Sequence, residues 1–306
     1  MAAHSGTRAI VAALGANLGI AATKFIAWAL TGSSSMLAEG VHSVADSSNQ
    51  GLLLLGQRRG KKQATPLHQF GYARVRYIYA FLVSIVLFTL GGLFALYEAW
   101  HKFQHPTAIA SWKWVPVAVL LIAIVLEGRS FLIAKEEAKK ARGTRSLTSY
   151  VRTSRSPEIP VILLEDAAAL IGLVVALAGV SMTLITGDGR WDAIGSATIG
   201  CVLVAVALFL ASEIGSMLVG ESADDEVTAS ICAALAQGER PLELIDLRTM
   251  HLGPDDLLIA AKFSTSANVT GDEIAATINS AEARIRAAVT HRCAIYLEPD
   301  IPPRNY

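Results

Sequence analysis

Charged residues are scarce in this sequence of 306 residues. Lys, Arg, Asp and Glu make up 17% of it, whereas an ordinary soluble domain carries about 25%. Hydrophobic residues make up 53%, and the mean hydropathy is +0.45. The 26 basic and 26 acidic residues cancel, so no excess of positive charge indicates a nucleic-acid partner. This composition argues against a purely soluble enzyme and predicts an integral membrane protein.

Cysteine pairs, catalytic motifs and a secretion signal are also missing. The three cysteines stand far apart without a CxxC pair, which argues against a disulfide framework. No HExxH, GxSxG, P-loop or dinucleotide-binding glycine pattern occurs, so neither an enzyme nor a bound cofactor is expected. The N-terminal segment lacks the basic start and short apolar core of a signal peptide, so no cleaved leader is expected.

Six apolar runs have the length of a membrane-spanning helix, which needs about 20 residues to cross the hydrocarbon core. We predict them at residues 9–30, 36–56, 77–97, 114–134, 160–185 and 193–211. The loops after the second and fourth runs are rich in Lys and Arg, and those after the first and fifth are nearly free of them. The positive-inside rule therefore predicts both termini on the cytoplasmic side. Lys24, near the end of the first run, is expected to act as an interfacial anchor.

From Glu221 onward the composition is that of a soluble domain. The pattern predicts the element order αββαβ, with a capping box at Thr270-Gly-Asp-Glu273 opening the second helix. The predicted elements are a helix at Ala223–Ala236, strands at Leu242–Leu252 and Leu257–Thr265, a helix from Thr270 to about Val289, and a strand at Cys293–Leu297. We therefore predict a six-helix transmembrane bundle over residues 1–220 and a cytoplasmic α+β domain over residues 221–306. So short a tail has a small core, which dimerisation would stabilise.

The second run contains ionisable residues with the spacing of metal ligands. His42 and Asp46 are four residues apart, so they share one helix face with Cβ atoms about 5–6 Å apart. An imidazole and a carboxylate begin a tetrahedral zinc site. The alternative is a hydrogen bond between helices that holds the bundle together. Glu39 joins the same face or lies near the outer boundary, and Asn17 in the first run either meets the transport path or joins helices.

The fifth run carries two adjacent carboxylates. Glu165 and Asp166 point about 100° apart on a helix, so only one is expected to face the cavity of His42. The other meets solvent, a proton path or basic groups at the cytoplasmic edge. The alternative is that both are charges at a helix entrance without a function in transport.

These features together resemble the cation diffusion facilitator family. Its members have six spans, an HxxxD or DxxxD motif in span two, a second such motif in span five, and a cytoplasmic αββαβ tail of ferredoxin-like, metallochaperone-like topology. The span-two motif is matched by Leu37-Ala-Glu-Gly-Val-His-Ser-Val-Ala-Asp46. Thr31–Ser35, Phe70–Tyr77 and Asp246–Thr249 resemble other family stretches.

The resemblance implies His42, Asp46 and Asp166 as metal ligands, with Glu165 a candidate for the fourth. The family usually has His or Asp where this sequence has Ile162, and the Glu-Asp pair resembles the branch that includes vertebrate zinc transporter nine. His68 matches one ligand of a peripheral zinc site whose other positions read Thr65 and Tyr72. Tail positions that hold histidine ligands in some relatives read Ile245, Lys262 and Leu297, so no binuclear zinc site is predicted there.

The resemblance further implies a homodimeric transporter that exports a divalent cation in exchange for protons. The donor set ranks Zn²⁺ first, Mn²⁺ second and Fe²⁺ or Co²⁺ third as the transported substrate. Two other classes remain open, a membrane hydrolase that activates water on a metal and a transport-inactive metal sensor or scaffold. The compact sequence favours a bacterial plasma membrane.

Overall fold

The computed structural model describes residues 14–15, 17–26, 29, 34–106, 114–237, 243–265 and 269–300. They fall into two compact units. The first comprises residues 1–60 and 75–215, and the second comprises residues 61–74 and 216–306.

Helices build the first unit. The first of them, α1, is described as helical over residues 17–26. The others are α2 (Ser34–Gly60), α3 (Val75–Val86), a π-helical segment (Leu87–Leu93), α4 (Phe94–Gln104), α5 (Trp114–Arg142), α6 (Leu147–Thr153), α7 (Glu158–Thr186) and α8 (Arg190–Val219). Buried apolar residues of α1, α5 and α7 form a common core, of which Ile20, Leu120 and Leu173 are members.

Within the described residues, 4 helical stretches are long and apolar enough to cross a membrane: Val75–Gln104, α5, α7 and α8. At 29–30 residues, each is about 45 Å long, more than the hydrocarbon core of about 30 Å. The 27-residue helix α2 is long enough to span, but its polar residues lower its hydropathy below that of the others. The predicted helical membrane region followed by a small α+β domain is confirmed.

Two glycines allow the third and the sixth predicted spans to approach each other closely. A Cβ on Gly92 of the π-helical segment would lie 2.6 Å from Val204 Cγ2, and one on Gly200 would lie 2.7 Å from Leu96 Cγ. Small residues of this kind allow helix backbones to approach closely inside a membrane. A π-helical turn inside an α-helix shifts the register of the side chains that follow it.

The second unit contains the predicted α+β tail. Its elements are α9 (Asp225–Ala236), β1 (Glu243–Gly253), β2 (Asp256–Ser264), α10 (Gly271–Ala288) and β3 (Arg292–Asp300). The sheet has the order β1-β2-β3, with β1 antiparallel and β3 parallel to β2. Residues of α9, β2 and α10, among them Ile231, Phe263 and Ile285, form the core. The αββαβ order and the capping box between Thr270 and Glu273 are confirmed.

Residues 61–74, between α2 and α3, belong to the second unit. Ala73 lies so close to Gly253 at the end of β1 that a Cβ on this glycine would overlap it. The Arg74 guanidinium donates a hydrogen bond to the Val219 carbonyl at 3.5 Å. In the same segment the His68 ring packs against Tyr72, with ring centroids 4.6 Å apart. The sequence did not predict this association.

Candidate functional site

One face of α2 is polar and buried. Residues at helical spacing lie on the same side of a helix, and this face carries Ser43, Asp46, Ser47 and Gln50, with Asn49 beside them. All of these side chains are buried in the first unit, including the Asp46 carboxylate. Polar groups inside an apolar bundle are costly unless they have partners, so this face marks the place where the bundle's polar chemistry is concentrated.

Two amides of α2 hold the Glu165 carboxylate. Asn49 Nδ2 donates to Glu165 Oε1 at 2.8 Å, and Gln50 Nε2 donates to Glu165 Oε2 at 3.3 Å. Glu165 is a buried residue of α7. It is therefore Glu165, rather than Asp166, that reaches the α2 amides from the fifth predicted span.

The Asp166 carboxylate contacts a different helix. Ser130 of α5 donates to Asp166 Oδ2 at 2.8 Å, and both side chains are buried. The adjacent carboxylates of α7 thus diverge as their helical spacing predicts, one toward α2 and the other toward α5. Between them they tie three helices to one polar region.

A small cavity lies beside this region. Its volume is about 30 Å³, room for a few water molecules. Its polar lining consists of Lys24 of α1, Ser43 and Asp46 of α2, and Glu127 of α5, and residues of α7 and α8 supply an apolar wall. Lys24 Nζ donates to Ser43 Oγ at 2.9 Å.

Four buried carboxylates lie in this part of the bundle. They belong to Asp46, Glu127, Glu165 and Asp166, and the charge of Asp46 acts on each of the other three. Lys24 is the one basic residue among the described residues that line the cavity. Carboxylates in a low-dielectric interior repel one another strongly unless cations or protons balance them. A bound cation or proton would therefore stabilise this group of carboxylates.

Several buried oxygen atoms here have no hydrogen-bond donor among the described residues. They are Asp166 Oδ1, Asn49 Oδ1 and Gln50 Oε1. Buried acceptors are normally satisfied, and oxygen atoms of this kind are ligands for divalent cations. Within the described part of the chain, no three His, Cys, Asp or Glu side chains are arranged to hold a metal ion together.

The structure brings some of the predicted site residues together. Asp46, Glu165 and Asp166 lie in the polar region described above, and Asn17 is buried on α1. His42 and Glu39 lie in the helical stretch of α2, but their side chains are outside the described residues. The ligand set His42, Asp46, Glu165 and Asp166 therefore stays a prediction.

The expectation that Lys24 is an interfacial anchor is wrong. Its side chain is 3% exposed and lines the cavity. The helical period explains this placement, because Asn17, Ile20 and Lys24 are spaced three and four residues apart and all three are buried on one face of α1. Because Lys24 lies two helical turns after Asn17, the two side chains share a face, and this spacing indicates that the lysine points into the bundle.

Sequence reasoning also missed Glu127 and Ser130. They are three residues apart on α5 and therefore lie on one helix face, which is buried at both positions. A carboxylate inside an apolar span is a candidate functional residue by itself. Glu127 gave that signal, whereas Ser130 became recognisable only through its contact with Asp166.

Comparison with known proteins defines the class to which this arrangement belongs. The cation efflux transmembrane domain family matches residues 10–219. The human protein named proton-coupled zinc antiporter SLC30A9, mitochondrial, is 33% identical over 232 residues, which is 75% of this chain and 41% of that protein. Metal tolerance protein C4 of Arabidopsis thaliana is 28% identical over 263 residues, 83% of this chain and 56% of its own length. The cation-efflux pump FieF of Shewanella oneidensis is 24% identical over 285 residues, 90% of each chain.

The chain is a member of the cation efflux family, since the family model covers more than half of its length. The predicted resemblance to the cation diffusion facilitators and to zinc transporter nine is thereby confirmed. The chain is a multi-pass integral membrane protein. It spans less than half the length of the human and mouse relatives that it matches.

Proposed function

We propose that this protein is a secondary active transporter that exports a divalent metal cation, with Zn²⁺ first, in exchange for protons. The observation that carries the proposal is the group of four buried carboxylates on α2, α5 and α7, with oxygen acceptors that lack donors among the described residues. The names of similar proteins, which include a proton-coupled zinc antiporter and a cation-efflux pump, support the same function.

Binding of the metal is assigned to His42 and Asp46 on α2 and to Glu165 and Asp166 on α7. The two α7 carboxylates accept hydrogen bonds from Asn49, Gln50 and Ser130. Those donors hold the carboxylates in the bundle interior. We expect an arriving cation to bind acceptor oxygens that have no donor in the described part of the chain, among them Asp166 Oδ1, while the hydrogen bonds orient the carboxylates.

Exchange with protons follows from the same groups. An imidazole and carboxylates bind a metal only after they lose their protons. When the site opens to a more acidic compartment, protons compete for the ligands and the metal is released. Rocking of helices around the fixed site exposes it to each side in turn. One imidazole among several oxygen donors favours Zn²⁺ and also admits Mn²⁺ or Fe²⁺.

The proposal extends to assembly and location. We expect a homodimer held in part by residues 221–306, a transmembrane region over residues 1–220, and both termini on the cytoplasmic side of a bacterial plasma membrane. The human relative is named as mitochondrial. Measurement of the particle mass in detergent tests whether the protein is a dimer. Single cysteines placed at the N- or C-terminus of the protein and labelled in intact cells test the orientation.

The experiment that tests the function is metal flux in proteoliposomes with an imposed pH gradient. Wild type is compared with Asp46→Asn and with the control Glu136→Gln, which neutralises an α5 carboxylate whose side chain is 70% exposed. We expect gradient-dependent Zn²⁺ flux in wild type and in the control. The Asp46 variant should lose at least about 100-fold in rate, more than the loss of an outer hydrogen bond to a ligand causes. Flux of neither Zn²⁺ nor Mn²⁺ from the folded wild type would reject transport of these ions and favour the metal sensor.

A further inference from the structure

Lys24 is a buried cation inside the transport region that the proposed mechanism does not use. Its ammonium group donates to Ser43 Oγ at 2.9 Å and lines the same cavity as Asp46 and Glu127. Its side chain is 3% exposed, so the group does not reach a membrane surface. A basic residue in the interior of a span is costly to insert and is by default a candidate functional residue.

The surroundings of Lys24 set its electrostatic effect. The cavity that Lys24 lines also has Ser43 and Asp46 of α2 and Glu127 of α5 in its wall. Among the described residues, the lining from α7 and α8 is small or apolar and includes Ala168, Gly172 and Leu203. The charge of Lys24 acts favourably on Glu127. Its ammonium group therefore balances part of the carboxylate charge in a space with room for little else.

We propose that Lys24 is a tethered cation that occupies the carboxylate cavity while no metal is bound, so that an incoming divalent cation competes with its ammonium group. The inference rests on the proposed function and adds a residue that limits metal affinity. A transporter that bound its cargo too tightly would release it slowly, because tight binding usually reflects slow dissociation. A positive charge beside the ligands weakens binding and speeds release.

A structural role for Lys24 predicts a different result. If its hydrogen bond to Ser43 only joined α1 to α2, removal of the lysine would loosen the bundle and weaken metal binding or leave it unchanged. If the ammonium competes with the metal, removal of its charge strengthens binding. The sign of the change in affinity separates the two roles.

The test is calorimetric titration of the purified full-length protein in detergent with Zn²⁺ alone and with Mn²⁺ alone, using a competing chelator where binding is tight. Lys24→Met keeps the length of the side chain and removes its charge. We expect its dissociation constant to fall by about tenfold or more, because charges a few ångströms apart in a poorly hydrated site interact strongly. Lys24→Arg, which keeps the charge, should bind within about threefold of wild type.

The matched control is Lys102→Met. Lys102 also lies among carboxylates, 3.2 Å from Asp192 and 4.0 Å from Glu98, but does not line the cavity. Its replacement should leave metal affinity unchanged. An equal gain in affinity in this variant would show that any loss of positive charge from the protein strengthens binding, and it would overturn the specific role of Lys24.

The Glu127→Gln background keeps the inference testable if Lys24→Met alone does not fold. Glu127→Gln should weaken metal binding several-fold. The double variant Lys24→Met/Glu127→Gln, in which both side chains are uncharged, should bind the metal about tenfold more tightly than Glu127→Gln alone. Unchanged or weaker binding on loss of Lys24, in either background, overturns the inference while the transport function stands. Absence of binding in folded wild type overturns the function and the inference together.

Discussion

The two units of this protein each place a lysine among carboxylates, with opposite consequences. In the tail, Lys262 Nζ lies 2.8 Å from Asp300 and 3.6 Å from Glu298, and its side chain is 42% exposed. In the membrane unit, Lys24 shares a cavity with Asp46 and Glu127 and is 3% exposed. Water and salt screen the first group, so its ion pairs contribute little. In the cavity every charge must be balanced by a neighbour, a proton or a cation.

The same contrast holds for the acidic residues of the two units. Asp246, Asp256 and Glu282 of the tail each form an ion pair with an arginine at 2.8–3.0 Å, at partly or fully exposed positions. In the membrane unit, the buried carboxylates of Glu165 and Asp166 are held by neutral donors such as Asn49 and Ser130. Neutral donors leave the negative charge available to a mobile cation. Chemically similar carboxylates therefore pair with exposed arginines in the tail, whereas those of the bundle are the ones to which we assign cation binding.

The largest effect on stability is expected from loss of a buried ion pair in the bundle, which should contribute more to the free energy of unfolding than the exposed pairs of the tail do. Arg76 at the start of α3 donates to both carboxylate oxygens of Glu158 at the start of α7, at 2.6 and 2.9 Å. Arg76→Met leaves the buried Glu158 carboxylate without this partner, so we expect a loss of about 3 kcal/mol in the free energy of unfolding. Equilibrium unfolding in a graded denaturing detergent measures it.

The control for this prediction is Arg58→Met. Arg58 is an exposed arginine in the last turn of α2, so its loss removes the same charge without breaking a buried pair. Its free energy of unfolding should stay close to that of wild type. Equal losses in the two variants would mean that loss of charge, rather than the Arg76–Glu158 contact, causes the effect.

A smaller effect tests whether the neutral donors position the carboxylates for metal. Ser130→Ala removes the hydrogen bond to Asp166 Oδ2. We expect metal affinity to fall by about tenfold, the range found when a hydrogen bond to a ligand is lost. Titration with Zn²⁺ measures it, and Ser130→Thr, which keeps the hydroxyl, should retain most of the affinity. Full affinity in Ser130→Ala would remove Asp166 from the proposed ligand set.

The smallest effect is expected in the tail. Lys262 forms a hydrogen bond and an ion pair with Asp300 and lies near Glu298, and these contacts raise the pKa of Lys262 above its ordinary value of 10.5. A raised pKa contributes stability that is fully present below the unfolded-state value and is lost only as pH rises through the folded-state value. Lys262→Met should therefore leave the unfolding temperature nearly unchanged, with the same small difference from wild type at pH 6 and pH 8. A difference that changed between these two pH values would contradict this assignment.

Much of the fold was readable from the sequence because local patterns encode it. The alternation and turn residues around β1 and β2, together with the capping box at Thr270, predicted the tail elements to within a few residues. Long apolar runs predicted the spanning helices in the same way. The polarity of α2 placed Asp46 among the functional candidates before its contacts were seen.

Contacts between distant parts of the chain were not readable in this way. Nothing in residues 61–74 indicates that Ala73 packs against Gly253, because their proximity depends on how separate elements meet. The direction of Lys24 was misread because a lysine near the end of an apolar run can reach either the lipid headgroups or the bundle interior. Glu127 was visible as a charge in a span, but its neighbours were not.

The sequence by itself determined the class of this protein. A hydrocarbon core selects for apolar helices of sufficient length, and one helical turn between His42 and Asp46 sets two donors on one face, both of which are local properties of the chain. Only the tertiary structure decided which charges share a space. It placed Lys24, Asp46 and Glu127 around one cavity and turned Glu165 toward Asn49 and Asp166 toward Ser130. Such groupings arise from helix packing between residues far apart in sequence, and in a medium of low dielectric constant they decide what the charges do.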